Sequence, residues 1–99
     1  MNIAIEESSD TVLVSIEGSI EATSIRPLTD KIADMVNFDK NVQIDIAAVD
    51  YIDSSGIRAF LTLFRKLKDN DKSLKIINSN ENIKRVLQLS SLQGVLNIS

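Results

Sequence analysis

Cysteine, histidine and tryptophan are missing from this sequence, which has one proline, three glycines and 4% aromatic residues. Without cysteine there are no disulfides, thiolate nucleophiles or thiolate metal ligands. Without histidine the commonest general base and metal ligand is gone. The few aromatics form no platform for stacking bases; Phe38, Phe60 and Phe64 fall where a core is expected, and Tyr51 reads as packing. A formal charge of −3 works against a nucleic-acid partner, because that affinity comes from clustered Lys and Arg. No apolar run approaches the roughly 18 residues of a membrane span. The N-terminal Met-Asn-Ile-Ala-Ile-Glu-Glu lacks the basic and apolar regions of a secretory signal. A cytoplasmic location without membrane insertion is expected.

What is present is the composition of an ordinary globular protein, 43% hydrophobic and 25% charged over 99 residues. That length supports one domain, 1–99, with one core. A small acidic domain without His or Cys points to a binding module that needs no cofactor, not to an enzyme.

Ile3 and Ile5 alternate with polar residues, a polar turn follows, and Val12, Val14 and Ile16 repeat at period two. These read as a hairpin whose second strand Gly18 closes. Ser24 is a candidate N-cap with Pro27 in the first turn, ahead of a helical face of Ile25, Leu28, Ile32, Met35 and Val36. Val42, Ile44 and Ile46 predict a third strand within a hydrophobic run to Val49. A second helix places Ile57, Phe60, Leu61, Phe64 and Leu67 on one face. A fourth strand covers Leu74 to Ile77. Asn80 or Asn82 caps a third helix carrying Ile83, Val86, Leu87 and Leu89, and residues 95–98 form a last short strand. The order β-β-α-β-α-β-α-β implies an α/β fold with a mixed sheet of four to five strands, antiparallel only at the first hairpin. In such sheets the working crevice lies beyond the carboxyl ends of the strands. Two loops fall there, 18–23 and 50–55.

The most informative stretch is residues 51–57, Tyr-Ile-Asp-Ser-Ser-Gly-Ile, joining the third strand to the second helix. It puts hydroxyls at the positive end of a helix, where an anion such as a phosphoryl group is tolerated. In the plainest reading Asp53 or Ser54 caps the helix and Gly56 permits a tight approach. If Ser54 is the cap, Ser55 becomes the first helical residue, with its hydroxyl free for chemistry. Asp45, between Ile44 and Ile46, faces the opposite side of its strand, partly exposed or hydrogen-bonded. The basic outer face of the second helix, Arg58, Arg65, Lys66 and Lys68, is most simply a solvated surface.

With Gly18-Ser19-Ile20-Glu21, the strand to Val49, the 51–57 block and residues 83–92, the chain resembles the STAS domain, most closely the bacterial anti-sigma-factor antagonists. The resemblance covers essentially the whole chain. It implies that Ser55 is phosphorylated by a serine kinase that is also the anti-sigma factor. The unphosphorylated form then binds that factor and frees a sigma factor, and a metal-dependent serine phosphatase resets the switch. Glu21, Thr23, Asp53, Ser54, Gly56, Ile57 and Arg58 are expected at the partner surface, Arg58 because it lies one turn from Ser55 and suits an acidic kinase surface, with Ser24 and Arg26 at the same end of the sheet. Glu21 stands where the family usually has Asp. Relatives usually continue into a further C-terminal helix beyond the point where this sequence stops; without it, apolar surface is left for a dimer partner, a shifted third helix or nothing.

Other functions fit less well. A receiver domain would use Asp50 or Asp53 as acceptor, but needs an acidic cluster after the first strand and a late lysine that this order does not supply. A STAS accessory subunit of an ABC-type transporter would share the fold without a sigma factor. A hydrolase would need a base for Ser54 or Ser55; there is no histidine and no Ser-x-x-Lys arrangement at these serines. Glu21 and Asp53 alone are too few ligands for a metal site.

Overall fold

The computed structural model describes residues 1–34, 39–89 and 97–98. In chain order these form β1 (Asn2–Glu7), β2 (Thr11–Ile20), α1 (Arg26–Asp34), β3 (Asn41–Ile52), α2 (Ser54–Asp69), β4 (Leu74–Ile77), α3 (Glu81–Leu89) and β5 (Asn97–Ile98). The expected core roles of Met35, Val36 and Phe38, the side chain of Leu89, residues 90–92, and Val95 and Leu96 lie outside the described residues.

The five strands lie in the order β1-β2-β3-β4-β5; β1 and β2 are antiparallel and every other pair is parallel. Parallel neighbours in sequence order are joined by right-handed crossovers, which set the connecting helices on one face of the sheet. Burial agrees: Val12, Val14, Ile16, Val42, Ile44, Ile46, Leu74 and Ile76 are buried, while Leu13, Ser15, Gln43 and Asp45 on the other face are half-exposed. Asp45 is half-buried and its Oδ1 accepts the Ala47 amide at 3.0 Å, within the alternatives expected for it.

β2 and β3 run further than their alternation predicts. Val14 pairs with Ile44, but Ile20 pairs with Ile52, so β3 gains two residues on β2 through irregularities between Ser15 and Glu17 and between Gly18 and Ser19. Each extra residue resets the pleat and returns Val49 and Ile52 to the core side. Gly18, expected to close β2, lies inside it at φ +101, a conformation other residues adopt only with strain. The bulges leave the ends of β2 and β3 level, which sets the loops after them side by side.

α2 fills the centre of the layer. Its buried stripe is Gly56, Ala59, Phe60, Leu63 and Leu67, with Ile57, Leu61 and Phe64 only half-buried at its edges. The helix is therefore rolled relative to the expected face: Gly56 meets the ends of β2 and β3, Ala59 is buried, and Leu63 is fully covered.

Candidate functional site

The loops after β2 and β3 meet at the carboxyl end of the sheet, the expected crevice. The Asp53 amide donates to the Ile20 carbonyl at 3.0 Å, extending the ladder one residue beyond the strands. On the flank the Ser19 hydroxyl donates to Asp50 Oδ1 at 3.0 Å. Ser24 does not cap α1. Its hydroxyl donates to the Ser19 carbonyl at 2.9 Å and accepts the Glu21 amide at 3.3 Å, closing the 19–24 loop on itself. α1 starts instead from Ile25, whose carbonyl accepts the Leu28 and Thr29 amides.

Asp53, not Ser54, is the cap of α2. It sits in extended conformation at φ −115, ψ −172, and its Oδ1 accepts the Ser55 amide at 2.8 Å. Its other oxygen, Oδ2, accepts the Ala22 amide at 3.1 Å. One carboxylate thus ends the helix and pins the opposite loop, which a serine hydroxyl could not do at both places. Partial desolvation pushes this carboxyl up. The amides of Ala22, Ser55 and Gly56 and the Ser55 hydroxyl outweigh it and hold the carboxyl below its ordinary value of 3.8. An ionised cap also suits the positive end of the helix.

Ser54 and Ser55 are consequently the first and second helical residues. Ser54 is exposed. Ser55 is half-buried and lines a cleft of about 370 Å³ between α1 and α2. Arg58, one turn on and exposed, lines the same cleft.

Gly56 is needed for space. A Cβ there would lie 2.5 Å from Ile20 Cγ2 and 2.7 Å from Ile52 Cγ1, so the first turn of α2 rests directly on the last buried residues of β2 and β3. Ile57 is half-buried beside it. Glu21 is half-buried in the pinned loop, and Thr23 is exposed in the same loop. Tyr51, expected to pack, is 51% exposed, because the bulge before it turns its side chain away from the core.

The expected residues therefore share one end of the molecule: Glu21 and Thr23 on the β2–α1 loop, and Asp53 to Arg58 on the start of α2. The sequence reading missed Ala22, which acts through its amide and leaves no side-chain signature. It also missed Ile20 and Ile52, the socket for Gly56. A glycine within the first turn of an otherwise strong helix was the available signal.

Residues 2–99 match the STAS domain family. The chain is 26% identical over 99 residues to an anti-sigma-B factor antagonist of Bacillus subtilis (strain 168), covering 100% of this chain and 91% of that protein. The fold is similar to the anti-sigma factor antagonist SpoIIAA in its unphosphorylated form, with a TM-score of 0.84 and 18% identity over 99% of this chain and 88% of that one. It is also similar to the Bacillus cell fate determinant SpoIIAA in the phosphorylated form, with a TM-score of 0.76 and 18% identity over 99% and 91% of the two chains. The chain belongs to the STAS domain family.

Proposed function

We propose that this chain is a cytoplasmic anti-sigma factor antagonist, a binding module switched by phosphorylation of Ser55. Unphosphorylated, it binds an anti-sigma factor that is also a serine kinase, and so releases a sigma factor. The kinase transfers the γ-phosphoryl group of its ATP to the Ser55 oxygen; ADP leaves and the hydroxyl proton passes to a base on the kinase. A metal-dependent serine phosphatase hydrolyses the ester and restores the binding form. Glu21, Thr23, Asp53, Ser54, Ile57 and Arg58 make up the partner surface; Gly56, expected there, is buried against Ile20 and Ile52 and serves it only by seating the helix.

The observation that carries this reading is the setting of Ser55. Its amide and its hydroxyl both donate to Asp53, the residue borders an open cleft, and the helix end beneath it favours negative charge. Phosphorylation adds about 1.5 to 2 negative charges there. The helix end supports that charge by on the order of 0.3–1 kcal/mol, so the fold accepts it. A bound partner would meet new bulk, new charge beside ionised Asp53, and a desolvation cost at Ile57. Asp53 itself is a poor acceptor for a receiver-type reaction, because amides occupy both of its oxygens.

Affinity capture with tagged wild type and with Ser55→Asp tests the proposal. A kinase-like anti-sigma factor retained by wild type and bound about tenfold or more weakly by the variant is the expected result. Equal retention of an ABC ATPase by both proteins would overturn it in favour of a transporter subunit.

A further inference from the structure

The cleft between α1 and α2 is bordered by Ser55 and, one turn on, by the cation Arg58. Ile25, Ile32 and Ala59 give it an apolar floor, Ser55 and Arg58 stand at one end and Lys66 at the other. Among the described residues its lining contains two cations and no carboxylate, on a chain whose formal charge is −3. Arg58 takes part in none of the ion pairs found among the described residues.

Resting on the antagonist reading, we infer that this cleft is the docking slot for an acidic amphipathic helix of the partner, and that Ser55 phosphorylation closes it by capturing Arg58. A groove between two helices receives the ridge of a third. From Ser55 to Lys66 the slot runs about 16 Å at ~1.5 Å per residue, the length of three helical turns. Apolar side chains of the incoming helix cover Ala59 and Ile32, and its flanking carboxylates reach Arg58 and Lys66. A nucleic-acid occupant is disfavoured by the formal charge of −3, because that affinity needs a larger cluster of Lys and Arg than the slot's two.

Arg58 lies three residues after Ser55, so their Cβ atoms are about 5–6 Å apart on one helix face. A phosphate on Ser55 is therefore within reach of the guanidinium, which pairs with phosphate in bidentate fashion. The phosphoryl group removes the slot's cation and places its own charge where the partner's carboxylates would sit. The switch then works by competition for one arginine.

The test measures binding of the captured and purified partner to wild type, Arg58→Glu, Ala33→Glu, Arg58→Lys and Ser55→Asp. Arg58 and Ala33 are both exposed, so the fold is retained, as circular dichroism checks. The two acidic variants are expected to bind about tenfold or more weakly, with Arg58→Lys close to wild type. If both acidic variants bind like wild type while Ser55→Asp does not, the antagonist reading stands and the slot falls. If Ser55→Asp also binds like wild type, the antagonist reading falls. A second measurement addresses the slot independently of the partner. A Leu/Glu amphipathic peptide of about 15 residues, long enough to be helical, is titrated into labelled protein beside its Leu/Lys twin. Amide shifts at Ala33, Ala59 and Thr62 with the Glu peptide only, abolished by Arg58→Glu, are expected. Equal binding of the Lys twin, shifts elsewhere, or none at millimolar peptide would overturn the inference.

Discussion

Asp53 holds Ala22: its Oδ2 accepts the Ala22 amide at 3.1 Å and so ties the loop after β2 to the start of α2. The same carboxylate caps α2 through Ser55. Removing it should loosen both loops together. Asp53→Ala is expected to destabilise the protein more than Asp53→Asn, because Asn keeps an oxygen for the cap. Faster amide exchange at both Ala22 and Ser55 in the Ala variant is the check; a change at Ser55 alone would separate the loop from the cap.

The ionised state of Asp53 gives stability a pH dependence. Its folded value lies below the ordinary 3.8, so its contribution is complete above 3.8 and is lost as the pH falls through the lower folded value. Urea unfolding of wild type and Asp53→Asn from about pH 7 to about pH 2 should show wild type's advantage shrinking at the acid end. A constant gap across that range would contradict the assignment.

Gly56→Ala should destabilise, although alanine is the better helix former by about 1 kcal/mol. The new methyl would enter the space held by Ile20 and Ile52, both β-branched and stiff, and overpacking of this kind typically costs about 1–3 kcal/mol. A variant as stable as wild type in denaturant unfolding would show that α2 does not rest on the strand ends.

Within α2, Leu63→Ala is expected to cost about 2–5 kcal/mol and Leu61→Ala distinctly less, because Leu63 is fully buried and Leu61 is half-buried. Matching losses in thermal or urea unfolding would argue against the observed roll of the helix.

Asn80 works at two points. Its Oδ1 accepts the Ile83 amide at 2.8 Å, capping α3, and its Nδ2 donates to the Val49 carbonyl at 3.2 Å. Asn80→Ala should cost about 1 kcal/mol, and Asn80→Asp should recover the cap while losing the donor to Val49. Unfolding midpoints of the three proteins, in the order wild type, Asp, Ala, are the expected readout.

The order of elements and the parallel sheet were legible because Val12, Val14 and Ile16, and likewise Val42, Ile44 and Ile46, repeat at a period that only strands have. That period breaks at the bulges in β3, so the strand's reach to Ile52 and the exposure of Tyr51 could not be read from it. The roll of α2 was hidden because Ile57, Leu61 and Phe64 widen its apolar arc beyond what the sheet covers. The choice between Asp53 and Ser54 as cap was narrowed by residue type, but the second role of Asp53 depends on a contact 31 residues away, the Ala22 amide. Backbone groups carry no sequence signature, and so the residue types alone left Asp53 and Ser54 both open as the cap.

Both serines now stand in the first turn of α2, one exposed and one half-buried at the cleft, and the central claim is that Ser55 carries the switch. Incubating the protein with its captured kinase and ATP, then mapping the phosphate by fragment mass spectrometry, tests this most directly. The account predicts phosphate on Ser55, labelling that survives Ser54→Ala and is lost in Ser55→Ala. Phosphate on Ser54, or labelling that persists in Ser55→Ala, would contradict it.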